Sequence, residues 1–398
     1  MKKELTKTED IMQKALVFHR KYKGKIGIRS KVPLKTLKDL SMAYTPGVAQ
    51  PSLAITTNPS DIYKYTSKGH LIAIVTDGSA VLGLGNIGAA AALPVMEGKA
   101  VLFKRFANID AFPVCISTQD VDHFVDIVTH IASPYGGINL EDISAPRCFE
   151  IEKKLKAALN IPVFHDDQHG TAIVVLAALQ NALTLAEKKR EEVKITVVGA
   201  GAAGTAVTNL LLDQGVRNIV VCDRTGILIN EREYSNQYLK DLAQKTNPHH
   251  LSGQLEDAMK NSDVFIGVSS GNIVSNEMVQ SMNEKPIVFA MANPMPEIMP
   301  HKAKEAGAFI IATGRSDYPN QVNNALAFPG VFKGTLRARA KDINMEMKLA
   351  AAEALAACIP ENELKPDYII PSPFNPLVVK NVSEAVRKAA VASHVARI

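Results

Sequence analysis

The most informative motif in this chain is Gly199-Ala200-Gly201-Ala202-Ala203-Gly204. Apolar residues at 194–198 predict a buried strand before it, residues 205–214 predict a helix after it, and residues 218–222 predict a second strand. In such a unit the first glycine allows a tight turn, the second lets the backbone approach a pyrophosphate, and the third lets helix and strand pack closely. The motif therefore predicts a dinucleotide site, with the pyrophosphate on the N–H groups of the helix N-terminus.

An acidic residue at the end of the second strand indicates which dinucleotide is preferred. Asp223 lies 19 residues after Gly204, where a carboxylate binds the 2′-hydroxyl of the adenosine ribose. A carboxylate there repels a 2′-phosphate, so we expect NAD to be preferred over NADP. Arg224 weakens this preference, because an arginine at this position accommodates the 2′-phosphate of NADP.

A second motif, residues 83–88, has the same glycine spacing but a different context. Residues 77–80 separate it from the strand predicted at 71–76, and a helix is predicted at 89–96. The next apolar segment, predicted as a strand at 100–103, ends in Lys104-Arg105 instead of an acid. We therefore predict a loop whose glycines permit unusual backbone angles, not a second dinucleotide site.

Length and composition are those of a globular α/β protein with more than one domain. The chain has 398 residues, of which 46% are hydrophobic and 21% charged. We predict two α/β domains: residues 1–162, and residues 163–398 as a Rossmann-type, doubly wound dinucleotide-binding domain. A long apolar helix at 171–187 is expected to join them, and helices at 333–357 and 383–395 are expected to cover the second domain.

Charge, cysteines and apolar runs exclude several classes of protein. The net charge is +5, but lysines and arginines are scattered, so no nucleic-acid partner is expected. The four cysteines form no Cys-x-x-Cys pair, which argues against zinc fingers and a disulfide framework. The first residues are polar and no uncharged apolar run reaches membrane-spanning length. We expect a cytoplasmic protein that does not act at a membrane.

Acidic residues follow two of the predicted strands. Glu141-Asp142 and Asp166-Asp167 each end a short apolar strand, about 25 residues apart, so both strand ends can lie side by side. The carboxylates of Glu141, Asp142 and Asp167 would repel one another unless a divalent cation lay among them, and oxygen ligands suit Mg²⁺ or Mn²⁺. Asp142 and Asp167 also precede predicted helices and are suited to cap them, and the spacing does not decide between these roles.

Other candidate functional residues have weaker support from the sequence. Lys99 precedes the strand predicted at 100–103. If its side chain is buried there, the loss of solvent would lower its pKa towards a value suited to a general base. Most lysines at the start of a strand, however, point into water. Tyr44 lies beside a Pro-Gly turn, where a tyrosine is usually a packing residue. Asn293 and Asn324 follow predicted strands or loops at the ligand-binding edge of the nucleotide fold, where asparagine is also a common turn former.

The chain carries the motifs Tyr44-Thr45-Pro46-Gly47-Val48-Ala49, Val75-Thr76-Asp77-Gly78 with Leu82-Gly83-Leu84-Gly85, Gly98-Lys99, Leu140-Glu141-Asp142 and Phe164-His165-Asp166-Asp167-Gln168-His169-Gly170-Thr171-Ala172. Together these motifs resemble the malic enzymes, most closely the short bacterial and archaeal kind. The similarity runs from about residue 15 to residue 390. Larger eukaryotic relatives carry an arginine just after the Asp-Gly pair, used on a substrate carboxylate, where this chain has Gly78-Ser79-Ala80-Val81.

The resemblance implies oxidative decarboxylation of (S)-malate to pyruvate and CO₂, with reduction of NAD or NADP and a requirement for Mg²⁺ or Mn²⁺. It also implies a homodimer or larger homo-oligomer. Two alternatives remain: an oxaloacetate decarboxylase or malolactic-type enzyme using the same site, and a non-catalytic nucleotide-sensing module. The implied roles are general acid for Tyr44, general base for Lys99, metal ligands for Glu141, Asp142 and Asp167, cofactor binding for Gly199, Ala200, Gly201, Ala202, Ala203, Gly204, Asp223 and Asn293, and substrate binding for Lys99, Asn293 and Asn324.

Overall fold

The computed structural model describes residues 7–81 and 83–398, with side chains described from residue 11 onward. The predictions about the first residues of the chain, and Leu82 of the glycine-rich motif, lie outside this part.

Two sheets organise the chain. The first is fully parallel, with strand order β2-β1-β3-β4. The second has the order β10-β9-β8-β5-β6-β7 and is parallel except for β7. The strands are β1 (Leu71–Thr76), β2 (Asp110–Cys115), β3 (Gly137–Leu140), β4 (Val163–His165), β5 (Lys194–Val198), β6 (Asn218–Asp223), β7 (Gly226–Ile227), β8 (Val264–Gly267), β9 (Ile287–Ala290) and β10 (Ile310–Thr313).

The second sheet confirms the predicted Rossmann-type fold. Its first strand, β5, lies between β6 and β8, so the strand order reverses at β5. In open α/β sheets, ligands bind in the crevice at the carboxyl ends of the strands beside such a reversal. The glycine-rich motif follows β5 at this point.

Helices cover the sheets and form a separate N-terminal segment. They are α1 (Lys7–Tyr22), α2 (Leu37–Ala43), α3 (Ala49–Thr57), α4 (Ile62–Tyr65), α5 (Ala89–Leu102), α6 (Val121–Ile131), α7 (Arg147–Ala158), α8 (Asp166–Ala186), α9 (Ala202–Asp213), α10 (Gln237–Lys245), α11 (Leu255–Met259), α12 (Asn276–Gln280), α13 (Pro300–Glu305), α14 (Phe328–Arg337), α15 (Met345–Ala356) and α16 (Pro376–Ala392).

The strand predicted at 100–103 is wrong. These residues end α5 and continue into a π-helical turn, Phe103–Ala107. Four-residue apolar runs do not distinguish strands from buried helices. The deciding pattern is longer: Ala92, Met96, Ala100 and Phe103 are buried at helical spacing along one face.

The single helix predicted at 333–357 is also wrong, because the structure has two helices there. The chain leaves α14 after Arg337 and begins α15 at Met345. Asn344 caps α15, since its side chain accepts a hydrogen bond of 3.1 Å from the backbone N–H of Met347. The break lets α15 pack against α8, while α16 packs against α14 and α15.

Helix α8 is the central helix of the structure. It begins at Asp166, earlier than predicted, and its buried residues share one core with residues of both sheets, among them Ile72 and Ile195. By length and composition it could span a membrane, but 72% of its apolar window is buried inside the protein, as in a core helix.

Candidate active site

The three predicted metal ligands lie together at the carboxyl edge of the first sheet. Strand β3 pairs with β4, with Leu140 opposite His165, so the residues that follow these strands are neighbours. Ligand oxygens of Glu141, Asp142 and Asp167 all lie within 4.8 Å of one another. Asp167 also accepts a hydrogen bond of 2.8 Å from the backbone N–H of Asp142, which fixes the two loops relative to each other.

This arrangement fits a hard divalent cation. Oxygens at about 2.1 Å from Mg²⁺ lie up to about 4.2 Å apart when they are opposite ligands, so the cluster needs only a small contraction. Glu141 and Asp142 are buried, whereas about a third of the Asp167 side chain is exposed. The cluster thus has an open side on which a substrate oxygen could complete the coordination.

Lys99 projects from the last turn of α5 into the same cluster. Its side chain is 7% exposed, and Nζ lies 2.8 Å from Oε1 of Glu141 and in contact with Oδ2 of Asp166. The ammonium also lies over the ring of Phe328, 4.3 Å from its centroid. The predicted burial of Lys99 is therefore observed, but on a helix instead of at a strand start.

The expectation of a lowered pKa for Lys99 is wrong. Burial alone would lower the pKa, but the carboxylates of Asp166, Glu141 and Asp167 outweigh it and raise the pKa above its ordinary value. Burial likewise raises the pKa of Glu141 and of Asp166, opposed in each case by Lys99. Four acids surround one ammonium here, and this excess of negative charge is a physical reason for a cation to bind.

Gly170 brings the substrate-binding candidate Asn324 to this cluster. A Cβ on Gly170 would lie 1.9 Å from Oδ1 of Asp166 and 3.2 Å from Cβ of Asn324. Only glycine therefore leaves room beside this turn of α8 for both the side chain of Asp166, four residues earlier in the helix, and that of Asn324. Asn324 begins the turn that leads into α14, the helix that carries Phe328.

The glycine-rich motif has the geometry of a phosphate-binding turn. Gly199 has a φ of +107°, which favours glycine, and a Cβ on Gly204 would lie 1.7 Å from the carbonyl oxygen of Gly199. Around Gly201, just before α9, a Cβ would meet no atom within 4 Å. The backbone is thus tightly packed at Gly204, where the helix meets the strand, and it leaves space at Gly201, where a pyrophosphate would approach.

Asp223 ends β6 at the same edge and is held by two neighbours. Its Oδ1 accepts hydrogen bonds from the backbone N–H and hydroxyl of Thr225, at 2.8 and 2.7 Å. Arg232 pairs with both carboxylate oxygens, and its Nη1 lies 3.2 Å from Oδ1. Burial would raise the pKa of Asp223, but these contacts outweigh it and lower the pKa.

Asn293 lies where the two sheets approach each other. It follows β9 and its Nδ2 donates a hydrogen bond of 3.3 Å to the carbonyl of Met291. A Cβ on Gly83 would lie 3.0 Å from the carbonyl oxygen of Asn293, so the second glycine motif packs against this turn. Gly83, Gly85 and Gly88 all have positive φ, which confirms that this motif is a loop requiring glycine's freedom.

Arg147 is a candidate functional residue that the sequence analysis missed. Its Nη2 lies 2.8 Å from Oδ2 of Asp77 and 2.8 Å from the hydroxyl of Ser79. Ala80 donates a backbone hydrogen bond of 2.9 Å to the carbonyl of Asp142. Arg147 thus helps to fix the Asp-Gly loop against the loop that carries two of the acids.

A buried network behind α8 was also missed. Lys348 donates to Nδ1 of His169 at 3.1 Å, so Nε2 carries the ring proton and donates to Glu152 at 2.8 Å. Burial is the main cause that lowers the pKa of His169 to about 4. His169 is two residues from Asp167, and the network ties the first turn of α8 to α7 and α15. The partners are up to 179 residues apart, so sequence spacing could not reveal them.

Tyr44, unlike Lys99, is largely exposed to solvent in this chain. It follows α2, and its side chain is 68% exposed, whereas Lys99 is buried. None of residues 11–67 is buried. Many large apolar side chains in this segment face outward, among them Leu16, Val17 and Leu37.

Comparison with known protein families shows to which family the chain belongs. The family model of the malic enzyme N-terminal domain matches residues 23–156, and that of the malic enzyme NAD binding domain matches residues 168–396. The chain belongs to the malic enzyme family. The second sheet and strands β1 to β3 lie within the matched residues, whereas β4, Asp166 and Asp167 lie in the short gap between the two matches.

Individual relatives match nearly the whole length of this chain. The bifunctional malic/malolactic enzyme of Bacillus subtilis is 54% identical over 98% of this chain and 95% of its own length. The NAD-dependent malic enzyme of Geobacillus stearothermophilus is 56% identical over 94% of this chain and 78% of its own length. The crystal structure of the NAD-dependent malic enzyme of Thermotoga maritima superposes with a TM-score of 0.91 at 53% identity, covering 94% of this chain and 98% of that one.

Proposed function

We propose that this protein catalyses the oxidative decarboxylation of (S)-malate to pyruvate and CO₂ with reduction of a nicotinamide dinucleotide. The observation that carries the proposal is the contact of 2.8 Å between Lys99 and Glu141. It places an amine that can accept a hydroxyl proton beside oxygen ligands for a divalent cation. Family membership and the names of the relatives support the same reaction.

Each residue has a distinct role in the proposed reaction. Lys99, as the amine, takes the proton of the C2 hydroxyl while the hydride leaves C2, and Asp166 holds Nζ in position. Asn293 and Asn324 orient the substrate carboxylates. After C4 leaves as CO₂, Tyr44 protonates C3 of the enolate. A dinucleotide held by its pyrophosphate at the Gly199 turn would supply the hydride acceptor.

Glu141, Asp142 and Asp167 are the proposed ligands of Mg²⁺ or Mn²⁺. When bound, the cation would neutralise the acids that hold Lys99 as an ammonium and would polarise the C2 oxygen of the substrate. The protein's own contribution is to hold three carboxylates close together with one side open.

An assay of products tests the reaction directly. With malate, Mn²⁺ and NAD, we expect NADH and pyruvate to form in equal amounts. A chelator should abolish both and excess Mn²⁺ should restore them, because catalysis needs the cation. NADH absorbance and enzymatic detection of pyruvate measure the two products. Activity that survives the chelator would contradict the metal-dependent proposal.

A malolactic activity is the second candidate, because the Bacillus subtilis relative is named for both reactions. That reaction converts malate to lactate and CO₂ without net change of the dinucleotide. The same assay separates the two: lactate in place of pyruvate, with no accumulation of NADH, would favour the malolactic reaction.

We propose NAD as the preferred dinucleotide, because Asp223 ends β6 at the same sheet edge as the Gly199 turn and its lowered pKa keeps a negative charge there. The variant Asp223→Ser should lose NAD affinity and gain NADP affinity, since it removes the negative charge and frees Arg232 to pair with a 2′-phosphate. We expect the ratio of kcat/KM values for NADP and NAD to rise by about tenfold or more. The double variant Asp223→Ser/Arg232→Gln is the control and should lose the gain for NADP. An unchanged ratio in Asp223→Ser would place Asp223 away from the ribose.

We propose that a second copy of this chain covers the exposed N-terminal segment. Exposed apolar side chains concentrate there, and large apolar patches of this kind mark protein interfaces. A homodimer would also explain how an exposed Tyr44 reaches a site of buried acids, namely the site of the partner. A cytoplasmic location remains part of the proposal, supported by four cysteines that are all free thiols.

The division into two domains near residues 162 and 163 also remains a proposal. Strand β4 (Val163–His165) pairs with β3 and so belongs to the first sheet. A boundary drawn after His165 would keep that sheet whole and leave α8 with the dinucleotide-binding domain.

A further inference from the structure

A cavity of about 580 Å³ lies at the opposite edge of the first sheet from the acids. Its lining residues precede the strands: Lys68 comes before β1, Ser133 before β3 and Asn160 before β4. Because these strands are parallel, the cavity is at their amino-terminal edge, whereas the acidic cluster is at their carboxyl edge. None of the proposed active-site residues lines it.

The cavity is rich in positive charge. Lys68, Arg339 and Arg397 line it, and none of the lining residues is acidic. Lys68 and Arg339 lie over the ring of Tyr63, with Nζ 5.8 Å and the guanidinium carbon 5.1 Å from its centroid. Burial, and then the charge of Arg397, lower the pKa of Lys68. The cations therefore repel one another in a partly enclosed space, which favours an anion.

Two helix ends offset part of this charge. Lys68 Nζ donates a hydrogen bond of 2.6 Å to the carbonyl of Ser133, just after α6, and Arg397 donates to the carbonyl of Asn160, just after α7. Each helix C-terminus carries about half a negative charge, so together they offset about one of the three positive charges. Among the residues that the structure describes, Arg339 has no ion pair or side-chain hydrogen bond, only its contact with Tyr63.

We propose that this cavity binds a small anion with two or more negative charges, a polycarboxylate or a phosphate ester, with Arg339 as a direct contact. Its volume is that of a small-molecule site. Arg339 supplies the guanidinium fork that suits carboxylate and phosphate oxygens, and Lys68 and Arg397 supply the surrounding charge. The inference concerns a site separate from the proposed active site and does not depend on the reaction catalysed there.

Calorimetric titration of the full chain tests this site, with citrate and inorganic phosphate as separate probes. We expect one equivalent of anion per chain for at least one probe, and the probe that binds more tightly identifies the ligand class. Arg339→Gln should weaken this binding by about tenfold or more, the usual effect of losing a charged hydrogen bond. Malate oxidation should remain at the wild-type rate, which shows that the variant is folded.

Arg337→Gln is the matched control. It removes the same charge two residues earlier in the chain, at the end of α14, but Arg337 is half exposed, lies outside this cavity and pairs with Glu384 at 3.4 Å. We expect it to bind the anion within about twofold of wild type. Three results would overturn the proposal: no saturable binding of either probe, binding that persists unchanged in Arg339→Gln, or equal weakening in both variants.

Discussion

The variant Lys99→Ala should lose malate oxidation by about 10²–10⁴-fold in kcat, the usual contribution of a general base. Lys99 contacts both Glu141 and Asp166, at the edge where the substrate hydroxyl would lie. Decarboxylation of added oxaloacetate should fall much less, because oxaloacetate has no C2 hydroxyl proton to remove. Steady-state assays with malate and with oxaloacetate measure the two steps.

Comparison of the two substrates separates a catalytic role of Lys99 from a structural one. Removing a buried ammonium from among four acids also destabilises the fold, and a collapsed site would lose both activities equally. Lys99→Met keeps most of the side-chain volume and should show the same split. Lys189→Ala is the control, since that side chain is 73% exposed and should leave both rates unchanged. Near wild-type malate oxidation in Lys99→Ala would exclude the proposed base.

The same variant also tests whether Tyr44 acts in the partner's site. As a single variant, Tyr44→Phe should lose pyruvate formation. If Tyr44 crosses the interface, a mixed dimer of Lys99→Ala and Tyr44→Phe chains has one site with both defects and one intact site. Such a dimer, purified through two different tags, should recover about half of wild-type activity. If both residues serve their own chain, its activity stays at the level of the single variants.

The glycine turn and the acidic cluster were predictable because each depends on local sequence. Gly199 and Gly204 occur between an apolar strand and an apolar helix, and few backbone arrangements fit that order of elements. Glu141 and Asp167 each follow a short apolar strand, and parallel strands joined by one helix place such ends side by side. The structure brings these residues together as that reasoning expects.

Residues whose surroundings come from distant parts of the chain were not predictable in this way. The burial of Lys99 was expected, but the effect of Asp166 on its pKa depends on contact with a helix 67 residues away. Arg147 and Lys348 likewise find Asp77 and His169 only through the tertiary fold. Sequence patterns locate individual side chains on elements, whereas pKa values depend on every charge packed against them.

The variant Asp167→Asn should test the proposed role of this residue as a metal ligand. The other role that the sequence left open, a helix cap, does not fit the structure, because His165 is the N-cap of α8 and Asp167 lies within the helix. Asparagine has nearly the same size and can still accept the hydrogen bond from Asp142, but it removes one of three negative ligands. We expect the affinity for Mn²⁺ to fall by about 100-fold or more and malate oxidation to fall with it. Calorimetric titration with Mn²⁺ alone measures the affinity without relying on turnover.

Thermal unfolding gives a second measurement that does not depend on catalysis. A ligand that binds only the folded state stabilises it by about 2.7 kcal/mol at a concentration of 100 times Kd, so Mn²⁺ should raise the Tm of the wild type. Asp167→Asn should lose this rise, whereas Asp122→Asn, with a side chain 84% exposed, should keep it. If the acids hold no metal and Asp167 only fixes the two loops through its hydrogen bond from Asp142, Mn²⁺ would leave the Tm of the wild type unchanged, and Asp167→Asn would have a lower Tm with or without the metal. That result would remove the metal site, and with it the proposed polarisation of the substrate at C2.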